Sequence, residues 1–250
     1  MAENIFNTLF GKKKTEAKPV LVELHNHFLP GIDDGVRTVE ESIELLTTFS
    51  NLGYKKVIMT PHIMQGAYDN NAQTIGDALN LVKNALKTTG LSIQVEAAAE
   101  YFFDDYFINL VETEQPLMNF NKKYVLFELP TVNRPKQLEE VIFRLKLLGY
   151  LPVIAHPERY PLFHEKSFEK YQALKDLDCY FQLNLMSFTG HYGKQIQAVA
   201  EDLSLRGMVD FVGSDIHGVK HLPMAYSAWN NENYKALTRQ PTLLNNSLLD

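Results

Sequence analysis

The chain has 250 residues, of which 45% are hydrophobic and 22% charged, which is ordinary for a soluble globular protein with a substantial core. Its net charge of −6 argues against broad electrostatic binding to nucleic acid. The single cysteine, Cys179, excludes a disulfide framework within the chain and fits a reducing compartment. The sequence has no run of about 18 apolar residues that would predict a transmembrane helix, and no recognisable secretory signal.

The two ends of the chain differ from the middle. Residues 1–18 read as a flexible tail in which Ile5, Phe6, Leu9 and Phe10 could line a short helix. Such a helix could anchor the protein weakly to a membrane surface or a partner, but a frayed terminus is the preferred interpretation. Residues from about 230 to 250 are polar and rich in Asn, which predicts an irregular or loosely packed end. Residues 19–250 are therefore expected to form a single domain.

Short apolar runs alternate with helical patterns through this domain. The intervening segments carry apolar residues three and four apart, as in Ile75, Leu79, Val82 and Leu86. Gly53, Gly90, Gly149 and Gly207 each mark a helix end before a strand. Repeated β-α order predicts an α/β fold with a parallel sheet, and seven units favour a closed or nearly closed barrel. The predicted strands are Val20–Leu24, Lys56–Thr60, Ser92–Ala97, Tyr124–Leu129, Leu151–Ala155, Cys179–Leu185 and Met208–Gly213.

Six of the predicted strands finish in His, Glu or Asp. In β/α barrels the C-terminal strand ends converge on one face, where active sites form, so we expect these side chains to meet. Five of the eight histidines occupy such positions, which scattered surface histidines would not do. The strand-end residues are His25, His27, His62, Glu100, Glu128, His156, Asp215 and His217.

The residue types at these ends indicate a metal site. His25 and His27 are two apart, as are Asp215 and His217, so each pair projects to one side of its strand. Mixed imidazole and carboxylate ligands suit Mn, Fe or Zn better than calcium, and without a cation such a cluster would be costly to bury. His62 taken alone would more often be an ordinary surface or core histidine. In the loop of residues 29–35, Asp33 and Asp34 could be turn residues, or one could bind a metal.

A set of motifs in chain order resembles a known family. Together they resemble the manganese-dependent protein-tyrosine phosphatases of capsular and exopolysaccharide loci, in the polymerase-and-histidinol-phosphatase (PHP) superfamily. The resemblance spans about residues 20–225 and implies a distorted seven-stranded β/α barrel similar to the TIM barrel. It also implies hydrolysis of phosphotyrosine in proteins. The motifs are His25-Asn-His27, Leu29-Pro-Gly-Ile-Asp-Asp-Gly35, Thr60-Pro-His62, Ala99-Glu-Tyr101, Phe127-Glu-Leu-Pro130, Ala155-His-Pro-Glu-Arg-Tyr160 and Gly213-Ser-Asp-Ile-His217.

The resemblance implies a site with two or three divalent ions, with Mn²⁺ preferred and Fe, Zn, Co or Mg as alternatives. A hydroxide formed from water between two ions would attack phosphorus. The implied ligand sets are His25, His27 and Asp215 for one ion, Glu128 and His156 for a second with Glu100 bridging, and Asp34, His62 and His217 for a third.

The same resemblance makes Arg159 the contact to substrate phosphate. Many relatives carry a second arginine about five residues after the last histidine, and here that place is Leu222. Lys220 and His221 are the nearby candidates for its role. Cysteine-based phosphatase chemistry is not expected, because Cys179 lies in an apolar strand pattern without a phosphate loop.

Two alternatives stay open at this point: a small-molecule phosphatase such as a histidinol-phosphate phosphatase, and a metal-stabilised regulatory subunit with little activity. For the preferred function, the resemblance suggests a bacterial tyrosine autokinase as the phosphotyrosine partner. The expected location is the cytoplasm, at the inner face of the membrane where the partner brings it there. The sequence leaves open whether the chain forms a homo-oligomer.

Overall fold

The computed structural model describes residues 20–249, so the predicted tail of residues 1–18 lies outside the described part. The strands are β1 Val22–Glu23, β2 Lys56–Met59, β3 His62–Ile63, β4 Gln94–Ala97, β5 Glu100–Phe102, β6 Tyr124–Glu128, β7 Leu151–Ala155, β8 Tyr180–Asn184 and β9 Phe211–Gly213. The α-helices are α1 Val39–Asn51, α2 Ala72–Leu86, α3 Asp105–Glu112, α4 Leu138–Leu147, α5 Glu169–Asp176, α6 Lys194–Leu205, α7 Leu222–Trp229 and α8 Glu232–Leu237. This alternation confirms the predicted α/β class.

All neighbouring strands pair in parallel and form two sheets. One sheet has the order β1-β2-β4, and the other has the order β3-β5-β6-β7-β8-β9. Each of the seven predicted strand segments contains one of these strands. The carboxyl ends of the strands in each sheet therefore lie along one edge, where the sequence predicts the metal-ligand side chains.

Strand pairing does not join the two sheets into one closed sheet among residues 20–249. The predicted strand at residues 56–60 continues as β3 after an interruption at Pro61, which has no N–H to donate to a ladder. Backbone contacts nevertheless link the end of β1 to the end of β9: Asn26 and Ile216 form a parallel bridge, and the His27 N–H donates to the Ile216 carbonyl at 3.0 Å. The seven-stranded barrel stays a prediction.

Helix α1 shows why the helices form and what they bury. The Thr38 hydroxyl accepts a hydrogen bond from the Glu41 N–H, which caps the helix start. Leu45 and Phe49 are fully buried on the inner face, and the Phe49 ring packs 5.4 Å from that of Trp229 in α7. No helix within residues 20–249 is long and apolar enough to cross a membrane.

Cys179 is fully buried just before β8, with its Sγ atom 3.6 Å from the Pro152 carbonyl oxygen. Burial raises the pKa of its thiol, so the nucleophilic thiolate form is disfavoured. The predicted core role of this cysteine is confirmed.

The C-terminal segment is more ordered than the sequence predicts. The prediction of an irregular or loosely packed end is wrong for α8, where Tyr234 and Leu237 are buried. Beyond it, the Asn245 side chain donates to the carbonyls of Val22 (3.0 Å) and Val212 (2.8 Å), so it ties β1 to β9. The Asn-rich composition suggested a loop, but the Asn245 side chain forms hydrogen bonds with backbone groups that the two strands leave unpaired.

Candidate metal centre

His25 and His27 follow β1 and point to the same side. Asn26 between them faces the other way, where its side-chain amide donates to the Ile58 carbonyl at 2.9 Å. The Nε2 atoms of His25 and His27 lie 3.5 and 3.4 Å from Oδ1 of Asp215. The alternation expected for extended backbone thus holds, and both imidazoles reach one cluster.

The backbone of β1 and β9 sets the distance between these ligands. The Asp215 N–H donates to the His25 carbonyl at 2.7 Å, and the His27 N–H donates to the Ile216 carbonyl at 3.0 Å. Gly213 permits this close approach, because a Cβ there would lie 2.5 Å from the His25 Cβ. The His25/His27 pair and the Asp215/His217 pair therefore lie side by side, beyond the ends of β1 and β9.

Glu100, at the start of β5, lies at the centre of the cluster. Its Oε2 is 3.2 Å from His25 Nε2, 3.5 Å from His27 Nε2 and 3.2 Å from His62 Nδ1. Its Oε1 is 3.2 Å from His156 Nε2. One buried carboxylate thus touches four imidazoles that come from three different strand ends.

The remaining predicted ligands surround this centre. Glu128 lies with Oε1 3.5 Å from His62 Nδ1 and Oε2 3.8 Å from His156 Nε2. Asp34 Oδ1 lies 3.4 Å from His217 Nε2 and 3.6 Å from His62 Nε2. All nine side chains predicted as ligands are therefore brought together.

The grouping of these side chains differs in detail from the sets that the resemblance implies. His27 joins the predicted set of Asp34, His62 and His217, and His62 also lies with Glu100 and Glu128. The assignment of ligands to individual ions stays a prediction. The sets whose donor atoms lie within 4.8 Å of one another are His27, Asp34, His62 and His217; His25, His27 and Glu100; His25, His156 and Asp215; and His62, Glu100 and Glu128.

Several side-chain nitrogen and oxygen atoms that could bind a metal ion have no hydrogen-bond partner among residues 20–249. They are His25 Nε2, His27 Nε2, His62 Nδ1 and both carboxylate oxygens of Glu100, all buried. Burying such groups without a partner is costly, whereas a divalent cation would satisfy them together. The donor set of imidazoles and carboxylates therefore fits transition-metal ions.

Hydrogen bonds outside the cluster fix the orientation of two imidazoles. His25 Nδ1 lies 2.6 Å from Oε1 of Gln182, and His27 Nδ1 lies 2.7 Å from Oδ2 of Asp33. Because an amide oxygen and a carboxylate accept hydrogen bonds, each Nδ1 carries the proton and each Nε2 is left for a cation. Asp33 also accepts from the His62 N–H at 3.1 Å, so it supports a second candidate ligand.

Two of the clustered residues have unusual backbone conformations. His156 directly follows β7 and has a φ angle of 36°, and Asp215 lies two residues after β9 and has a φ angle of 53°. Residues other than glycine pay about 1–3 kcal/mol for such conformations, which are concentrated at functional sites. Both unusual conformations therefore lie where the chain leaves a strand and enters the candidate centre.

Burial and neighbouring charges shift the pKa values of the cluster. Burial raises the pKa of Glu128 to about 9, and the charge of Glu100 adds to this shift. Burial also lowers the pKa of His156 to about 4, assisted by the positive charge of Arg159. A cation at the cluster would favour the ionised carboxylate and the neutral imidazole, the forms that bind metals.

A cleft of about 360 Å³ opens beside the cluster. Arg159 lines it and donates from Nη1 to Asp215 Oδ2 at 2.9 Å. Both candidates for the second phosphate contact, Lys220 and His221, also line the cleft, whereas Leu222 is buried. The cleft thus places positive side chains next to the candidate metal ligands.

Comparison with known proteins decides the family. The model of the family "Capsular polysaccharide synthesis, CpsB/CapC" matches residues 21–229. The chain belongs to the CpsB/CapC family. The matched range contains all nine clustered side chains as well as Arg159, Lys220 and His221.

Curated relatives in this family are named as phosphatases. The chain is 30% identical to the tyrosine-protein phosphatase YwqE of Bacillus subtilis, over 80% of this chain and 78% of the relative. It is 27% identical to the tyrosine-protein phosphatase CpsB of Streptococcus pneumoniae, over 81% of this chain and 85% of the relative. It is 26% identical to the putative tyrosine-protein phosphatase CapC of Staphylococcus aureus, over 86% and 85% respectively.

Solved structures give the same relationship. The chain superposes with a TM-score of 0.78 and 29% identity on a structure from the work on YwqE from Bacillus subtilis and CpsB from Streptococcus pneumoniae, described as unique metal-dependent tyrosine phosphatases. The match covers 91% of this chain and 94% of that one. A histidinol phosphate phosphatase from Lactococcus lactis matches with a TM-score of 0.51 and 12% identity, which shows likeness of fold alone.

The structure of this CpsB/CapC chain adds residues that the sequence interpretation did not select. Gln182 contacts His25, and the Asn184 side chain donates to Asp215 Oδ2 at 2.6 Å. These two polar residues are two apart in the otherwise apolar β8, so they share one face, and that spacing is the signal that could have identified them. His191 and Tyr192 also line the cleft, but their loop carried no comparable signal.

Proposed function

We propose that this CpsB/CapC chain is a metal-dependent protein-tyrosine phosphatase that hydrolyses phosphotyrosine in proteins. The observation that carries the proposal is the set of buried donor atoms around Glu100 that lack hydrogen-bond partners, directly beside the cleft of Arg159. Relatives named as tyrosine-protein phosphatases support the choice of substrate.

The ligands in this proposal are the nine clustered side chains, holding two or three ions with Mn²⁺ preferred over Fe, Zn, Co or Mg. Bound divalent ions supply a nucleophile derived from water at neutral pH and neutralise charge on the phosphoryl oxygens. Gln182 and Asp33 orient the imidazoles of His25 and His27 so that both Nε2 atoms face the ions.

Arg159 binds the phosphoryl group through charge-assisted hydrogen bonds from its guanidinium. Asp215 holds one edge of that guanidinium, so the remaining donors can face the cleft. Lys220 and His221 supply the second phosphate contact in place of the arginine that many relatives have. The leaving group is a phenolate with a pKa of about 10, so the reaction depends little on a strong general acid.

The proposal includes the distorted seven-stranded barrel as the architecture of a single domain over residues 19–250. In it, β2 with β3 and β4 with β5 would each form one interrupted barrel strand. The bridge between Asn26 and Ile216 would close the barrel between its first and last strands. Closure would explain why ligands from the two sheets meet around Glu100.

The proposed substrate is the phosphorylated tyrosine of a bacterial tyrosine autokinase that controls polysaccharide synthesis or export. The capsular polysaccharide synthesis family supports this choice. We place the reaction in the cytoplasm, at the inner face of the membrane when the partner brings the enzyme there.

The test pairs metal analysis with turnover. The purified protein should contain divalent metal, hydrolyse a phosphotyrosine peptide, lose this activity in a strong chelator and regain it with Mn²⁺. Cys179→Ser should retain the phosphotyrosine-hydrolysing activity, because the Cys179 thiol is buried in the core and does not act as the nucleophile. Preferential turnover of histidinol phosphate would favour the small-molecule alternative, and a fully metallated protein that hydrolyses no phosphomonoester would favour the regulatory one.

A further inference from the structure

A tight turn carries two aromatic side chains to the cleft. The Gly193 N–H donates to the Gly190 carbonyl at 2.9 Å, and the two glycines have φ angles of 100° and 76°. The His191 N–H donates to the Thr189 hydroxyl oxygen at 3.3 Å. Between the glycines, His191 and Tyr192 both line the cleft that contains Arg159.

Tyr192 lies against the guanidinium of Arg159. The Cζ atom of Arg159 is 4.6 Å from the centre of the Tyr192 ring, within the range of a cation–π interaction. Among residues 20–249, the guanidinium donates its one hydrogen bond to Asp215, at 2.9 Å. Ring and carboxylate therefore restrain the same side chain through two different kinds of contact.

This double restraint matters because the Arg159 side chain is 32% exposed. A long, partly exposed arginine has many rotamers, and holding it in one orientation before the substrate arrives reduces the entropy lost on binding. The guanidinium has five N–H donors, so its contact with Asp215 leaves donors for a phosphate in the cleft.

We propose that Tyr192 is a positioning residue for phosphate binding: its ring holds the Arg159 guanidinium in the orientation that contacts the substrate phosphoryl group. The inference rests on the proposed phosphatase function and deepens it. It assigns the restraint of Arg159 to the aromatic ring, whereas the Tyr192 hydroxyl group interacts with the Asn184 side chain.

The test compares Tyr192→Leu with Tyr192→Phe, which keeps the ring. With the Mn²⁺-loaded protein and a phosphotyrosine peptide, Tyr192→Leu should lower kcat/KM by about 5- to 30-fold, the range of a partly desolvated cation–π contact. Tyr192→Phe should stay within about threefold of the parent on the same principle. Calorimetric titration with inorganic phosphate should show weaker binding to Tyr192→Leu and near-parental binding to Tyr192→Phe.

A double-mutant cycle separates action through Arg159 from a general effect on the fold. In an Arg159→Ala background, Tyr192→Leu should change kcat/KM less than about twofold, because the residue it positions is gone. Equal losses in both backgrounds, an equal loss in Tyr192→Phe, or loss of bound metal in Tyr192→Leu would overturn the inference. So would unchanged kcat/KM and phosphate affinity in Tyr192→Leu.

The two proposals can fail separately. A parent protein that is fully metallated but does not hydrolyse the phosphotyrosine peptide would contradict the proposed function. Phosphate titration would then still test Tyr192: tight binding to the parent and weak binding to Tyr192→Leu would support its positioning of Arg159, and equal binding would overturn it.

Discussion

Replacing Arg159 with alanine should damage catalysis far more than it damages the metal centre. The guanidinium would form charge-assisted hydrogen bonds with the phosphoryl oxygens, and losing such an electrostatic contact costs roughly 3 kcal/mol of transition-state stabilisation. That cost corresponds to about a hundredfold fall in kcat/KM. Asp215 would lose one partner but keep the Asn184 amide at 2.6 Å, so we expect the ligands to stay in place.

The assay measures kcat/KM on a phosphotyrosine peptide together with metal content for Arg159→Ala and for a control, Arg144→Ala. Arg144 is a suitable control because its side chain is 43% exposed on α4, where it pairs with Glu140. The control should retain parental turnover and metal content. If Arg159→Ala keeps its metals and loses less than about threefold in kcat/KM, the reasoning that gives Arg159 a phosphate contact is refuted.

Three further predictions follow from contacts around the centre. Asp33→Asn weakens the 2.7 Å hydrogen bond to His27 Nδ1, so metal titration should show about 10- to 100-fold lower affinity; unchanged affinity would rule out an orienting role. Gly213→Ala places a Cβ 2.5 Å from the His25 Cβ, so it should lower both metal content and thermal stability, and a fully metallated, equally stable variant would contradict the described packing. Burial raises the pKa of Glu158 from 4.5 to about 7. The folded state therefore favours the protonated carboxyl group, so the contribution of Glu158 to the free energy of unfolding is full below about pH 4.5 and is lost as the pH rises through 7. Glu158→Gln should therefore gain stability relative to the parent between about pH 5 and pH 8, by at most about 3 kcal/mol in denaturant unfolding, and a pH-independent difference would argue against the shift.

Hydrophobic patterning was enough to predict the order of strands and helices. The predicted strand at Leu151–Ala155 has the same bounds in the structure, because its apolar run is bounded by a helix-ending glycine and a strand-ending histidine. The interruption after β2 falls at Pro61, which has no N–H for a ladder, but the sequence interpretation ended the strand at Thr60 and did not select β3. The packing of α8 was missed because Tyr234 and Leu237 stand among polar residues, and their burial depends on tertiary contacts.

Eight of the nine candidate ligands could be selected from the sequence because each is a His, Glu or Asp at the end of an apolar run; Asp34, in the loop of residues 29–35, was selected through the family resemblance. Their grouping could not, since it depends on distances between strands that are far apart in the chain. His62 shows this: its ring contacts Asp34 on one side and Glu100 on the other, at 3.6 and 3.2 Å. Orienting residues such as Gln182 were missed because their role exists only through the imidazole they contact.

The most direct test of the central claim is an anomalous-scattering map from crystals of this protein grown with Mn²⁺. The account predicts two or three peaks around Glu100, at coordination distances of about 2.0–2.3 Å from the imidazole nitrogens and carboxylate oxygens of the cluster. A map without a peak within the cluster, from crystals of protein that hydrolyses phosphotyrosine, would contradict the account.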